Sequence, residues 1–102
     1  MKDKEFVFKD SIKIGAIDYK VIFVENLARD MDALGRCCGN NRTIEIDKNL
    51  DGQIKEKVLI HEIFEAINTE YEFDFEHNII SKLSSILYQI LIDNNGIIKN
   101  EV

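Results

Sequence analysis

Two histidines and two carboxylates sit at spacings that suit a metal hydrolase. In the stretch HEIFE, His61 and Glu65 are four residues apart and Glu62 directly follows the histidine. His77 is the only other histidine in the chain. On an α-helix, at about 100° per residue, positions four apart stack within about 40° on adjacent turns. His61 and Glu65 would then share one stripe, with Glu62 at its margin. Hydrolytic zinc takes three protein ligands from His and Asp/Glu and leaves a fourth position for water. His61, Glu65 and His77 would make such a set. Glu62, at a different azimuth, would stay off the metal and act as general base toward the activated water. The usual zinc-protease order is His-Glu-x-x-His with a carboxylate from a later helix. Here it is His-Glu-x-x-Glu with a histidine from a later helix, so ligand count and charge are unchanged. The competing reading is a solvated stripe, because Glu and Asn are common on exposed helix faces.

These residues must be positioned by two helices. The first is expected from about Gln53 to Glu70, and Val58, Leu59, Ile60, Ile63, Phe64, Ala66 and Ile67 cover roughly two-thirds of its circumference. Such a helix is largely buried. The second is expected from about Glu76 to Asp93, with Asp74 as N-cap and Gly96 as terminator. Its stripe of Ile79, Ile80, Leu83, Ile86, Leu87, Ile90 and Leu91 has to pack on a neighbour. The link YEFDF is short, so the helices run antiparallel or cross steeply, and His77 can face the polar sector of the first.

Ahead of the helices, residues 12–24 alternate β-branched and polar residues around Gly15 and Asp18, which reads as a hairpin. ENLARDMDALG is a loop or a short helix. A second strand pair is expected around GRCCGNNRTIEID, where Gly39, Asn40 and Asn41 tolerate positive φ. There Ile44 and Ile46 would face the core, with Thr43, Glu45 and Asp47 outward. Strands followed by two helices make an α+β domain.

Composition narrows the function classes. A chain of 102 residues is one domain, and 45% hydrophobic residues can fill a modest core. The net charge is −6, with no basic stripe, which argues against a nucleic-acid ligand. No run approaches the roughly 18–20 apolar residues of a membrane span. The N-terminal MKDKEFVFKD lacks a signal-peptide core, so a cytoplasmic location is expected. Cys37 and Cys38 are neighbours with no second pair to complete a zinc site, and are expected as free thiols. Glu62, Glu65, Glu70 and Glu72 suggest an acidic groove that would attract basic peptide segments.

The blocks KIGAIDYKVIFVENL, ALGR, RTIEID, VLIHEIFEAIN and EHNIISKLSSILYQILIDN, in this order and spacing, resemble the small phage- and prophage-encoded zincin-type metallopeptidases, akin to those that cleave phage repressors. The resemblance covers most of the chain. It implies a minimal gluzincin fold, with a small antiparallel or mixed sheet over two helices. It matches His61 to the first zinc ligand, Glu62 to the general base and His77 to the neighbourhood of the third ligand. Glu65 falls where the second histidine ligand usually stands. In that fold an edge strand takes the substrate as an added strand; here this would be Thr43, Ile44, Glu45, Ile46 and Asp47.

Three readings follow. One is a zinc metallopeptidase acting on a protein or peptide substrate, such as a regulatory protein. Another is a catalytically inactive relative that keeps the fold as a protein-binding module. The last is an unrelated α+β domain with a structural role, in which His61 and His77 lie far apart.

Overall fold

The computed structural model describes residues 9–31 and 33–95. Strands β1 (Ser11–Ile14) and β2 (Ile17–Val24) form an antiparallel hairpin. Its two-residue turn, Gly15 and Ala16, has φ of 57° and 66°, the positive pair that matches the right-handed twist of the flanking strands. A short helix α1 (Leu27–Met31) leads to β3 (Gly35–Cys38) and β4 (Thr43–Asp47), which also pair antiparallel. Helices α2 (Gly52–Tyr71) and α3 (His77–Asp93) complete the chain. The segment ENLARDMDALG thus holds a short helix, although Asp32 lies outside the described residues, as does Gly96, the expected terminator of α3.

The sheet order is β1-β2-β4-β3, with β2 and β4 parallel and the other pairs antiparallel. The fold is therefore α+β, with a four-stranded mixed sheet and two long helices packed against it. One face of α2 lies on the sheet, and α3 packs on α2. Ile14, Tyr19, Val21, Ile44 and Ile46 meet Val58, Leu59 and Ala66 in the core. An α2 covered on two sides accounts for the wide apolar spread read from its sequence.

Three expectations need correction. Thr43–Asp47 is not an edge strand: all five residues, Thr43, Ile44, Glu45, Ile46 and Asp47, pair with β2 on one side; on the other, Thr43 to Ile46 pair with β3 and Asp47 N donates to Leu34 O. Every one of its residues is already matched to neighbours, so no substrate strand can add there. Nor does Asp47 point to solvent. It is buried, and accepts hydrogen bonds from the backbone N–H of Ala28 (2.6 Å) and Asn49 (2.8 Å). Thr43 and Glu45 are half-buried, and Glu45 pairs with Arg36 (2.7 Å). Finally, the N-cap of α3 is Glu76, without a side-chain cap bond, while Asp74 sits at φ 61° in the link.

Asn68 fixes that link. Its side chain accepts from Phe75 N (2.9 Å) and donates to Phe75 O (3.2 Å). Glu72 ends α2 in the left-handed region and returns its N–H to Asn68 O. The chain is thereby turned back two residues before His77. Along α3, Ile80 is buried and Leu87 and Leu91 half-buried, whereas Ile79, Leu83, Ile86 and Ile90 stay exposed. The apolar stripe is wider than the single helix face that α3 touches.

Candidate metal centre

α2 carries His61, Glu62 and Glu65, and α3 presents His77 from its first turn. The crossing set by the Asn68 clamp brings these groups together. Glu65 Oε2 lies 2.9 Å from His77 Nδ1 and 3.4 Å from His61 Nε2. The two imidazoles are 5.0 Å apart between centroids, at 63°. One donor atom from each of His61, Glu65 and His77 can be chosen so that all lie within 4.8 Å of one another, the only such group of three or more among the described residues.

That spacing suits a small divalent ion. Bonds of about 2.0–2.2 Å in tetrahedral array put donor atoms about 3.3–3.6 Å apart; the His61–Glu65 separation of 3.4 Å falls there, and the 2.9 Å His77–Glu65 hydrogen bond would open slightly around an ion. Two imidazoles and one carboxylate are also a donor set that zinc accepts readily. His77 is largely exposed, so the cluster opens to solvent on its side. Burial pushes the His61 imidazole below its ordinary value, opposed by Glu65, and so favours the neutral, ligating form.

Glu62 lies on the other flank of His61, only 6% exposed. Burial first and the Glu65 charge second push its carboxyl up to about 7. The sequence places it at the margin of a polar stripe; in the fold it is closed in by the sheet. Gly35 provides the close approach. A Cβ built there would stand 2.4 Å from Val58 Cγ1 and 3.3 Å from Glu62 Cγ, so only a glycine lets β3 lie this near to α2.

A cleft of about 560 Å³ runs beside the cluster. Leu34, Gly35, Ile54 and Val58 form its apolar wall, Lys57 its one lysine, and His61, Glu62 and His77 its chemical end. It is not the acidic groove that the sequence suggests. Glu70 turns away to the Tyr19 hydroxyl (2.5 Å) and Arg42 (3.0 Å), and Glu72 is spent as the C-cap of α2. Cys37 and Cys38 are free thiols. Burial, then the Glu62 charge, push Cys37 up to about 12, which leaves it a poor nucleophile.

Sequence reasoning passed over Gly35, Leu34 and Ser84. Gly35 carried a signal, as a glycine opening a strand. Ser84 carried another: it is the polar member of the 4-3-4 series Ile80, Ser84, Leu87, Leu91 that α3 turns toward α2. Among the described residues no helix is long and apolar enough to cross a membrane. Comparison with family models, with curated proteins and with solved structures returned no match for this chain.

Proposed function

We propose that this chain is a zinc-dependent peptidase of the zincin type, acting in the cytoplasm on an extended segment of a protein. The observation that carries this reading is the convergence of His61, Glu65 and His77, from two helices, on one point beside a cleft. His61, Glu65 and His77 would hold the ion. Zinc there would supply a Lewis acid and bring the pKa of water toward 7.

Glu62 lines the cleft from the position after His61 and is not one of the three converging donors. As general base it takes a proton from the attacking water and passes it to the departing amine. Gly35, with no side chain, leaves room for the Glu62 methylenes between β3 and α2, and the carboxyl is buried at the cleft.

The substrate strand is best sought at β3. Asp47 N donates to Leu34 O (2.9 Å), and antiparallel pairing alternates. Leu34, Arg36 and Cys38 therefore turn their backbone groups to β4, while those of Gly35 and Cys37 face the side of the sheet that has no partner strand among the described residues. A peptide added there would pass Glu62 and the cluster. The phage-type resemblance makes a regulatory protein the natural candidate.

Equilibrium dialysis of tag-free protein tests the metal. About one zinc per chain is expected, lost in His61→Ala and Glu65→Ala. Glu62→Gln should keep the zinc and lose cleavage of a mixed peptide library. Zinc binding unchanged by His61→Ala would overturn the reading. A Glu62→Gln protein with full biological effect would leave the inactive binding module instead.

A further inference from the structure

Ser84 is 2% exposed and has a polar hydroxyl on the α3 face that meets α2. Its Oγ makes two contacts. One is to the Ser81 carbonyl at 3.1 Å, three residues back on the same helix. The other is to His61 Nδ1 at 3.4 Å. A carbonyl can only accept, so the single hydroxyl proton goes to Ser81. The oxygen then offers its lone pairs to the histidine.

We propose that Ser84 is a positioning residue for His61: its oxygen accepts the Nδ1 proton, which leaves Nε2 as a bare lone pair directed at Glu65 and His77. The inference rests on the metal reading, because only the Nδ1–H form of His61 can give Nε2 to an ion. The surroundings agree. His61 Nε2 lies 3.4 Å from Glu65 Oε2, but that oxygen already has a closer partner in His77 Nδ1 at 2.9 Å. Glu65 Oε2 is therefore engaged first by His77 and has the weaker claim on a His61 proton. The remaining buried polar atoms are satisfied, with no side-chain nitrogen or oxygen left without a partner among the described residues. Removing the hydroxyl would leave the half-buried Nδ1 proton without this acceptor and release the ring to the other tautomer.

The test uses the whole chain with ¹⁵N-labelled histidine. Long-range ¹H–¹⁵N spectra of zinc-free protein show which ring nitrogen carries the proton. Wild type is expected to show Nδ1–H at His61, and Ser84→Ala a shift toward Nε2–H. Zinc affinity, read by competition with a chromophoric chelator, should fall about 10- to 100-fold in Ser84→Ala. Ser85→Ala, which alters the cleft wall one residue along, should change neither. A wild-type His61 protonated at Nε2 would overturn the proposal, as would a Ser84→Ala protein with unchanged tautomer and affinity. The two readings fail separately. If wild type binds no zinc yet loses the Nδ1–H form in Ser84→Ala, the metal reading falls and the Ser84–His61 pairing stands.

Discussion

Asp47 shows how one side chain can belong to the scaffold while looking like surface. Strict alternation along TIEID puts it outward with Thr43 and Glu45, and the fold buries it because the strand ends there. The hydrogen bond from Ala28 N, then that from Asn49 N, hold its carboxyl below the usual carboxylate range. A carboxylate depressed on folding adds stability above its unfolded pKa of about 3.9, and the gain is lost as pH falls through the folded value. Asp47→Asn should therefore melt lower than wild type near neutral pH, and the gap should close on acidification below about pH 4. Thermal melts across that range check it; a gap of constant size would contradict the assignment. The clue lay in the sequence after all, since an Asp side chain readily accepts from the backbone two residues on, here Asn49 N. By contrast, His61, Glu65 and His77 were legible because their chemistry is rare and the chain holds only two histidines. Ser84 was not, because serine carries no such rarity and its role depends on which face of α3 meets α2.

At the scale of elements, local pattern located both hairpins and both long helices, with boundaries shifted by a residue or so. It did not give the order of strands. Alternation tells which face of a strand is buried, not which strands flank it, and β4 reads the same as an edge or as a centre. The parallel β2–β4 pair is decided by the return of the chain through α1 and β3, a non-local fact. The juncture of β3 and α2 gives a sharp test. Gly35→Ala would force a methyl to 2.4 Å from Val58 Cγ1, and β-branched valine has little room to turn. Overpacking of this kind costs about 1–3 kcal/mol, and it pushes β3 away from Glu62. The expected result is a lower denaturation midpoint; on the proposed peptidase reading, cleavage is lost and zinc retained, because the three candidate ligands lie elsewhere. Gly52→Ala, with open space around it, is the control.

For the whole molecule, the consequential fact is that α3 is held mainly through α2 and one short link. One donor of the cluster therefore rides on the outermost layer and two on the middle one. An ion held between them ties these layers together and binds the folded state only. At about a hundredfold excess over its Kd such a ligand adds about 2.7 kcal/mol, or roughly 10–20 °C of Tm for a domain of this size. Calorimetry with zinc, reversed by a chelator, should show that rise, with none in His61→Ala. Amide exchange should slow most in α3, because it is the layer that can leave first.

The flank of β3 that has no partner strand among the described residues has a cost as well as the proposed use. An open strand is a template for any extended chain, including another copy of this one, and runaway stacking of sheets is the hazard. Here the exposed run is four residues long, begins with glycine and displays the charged Arg36. So brief a strip leaves room for the proposed short visiting segment but gives little grip for fibrous growth.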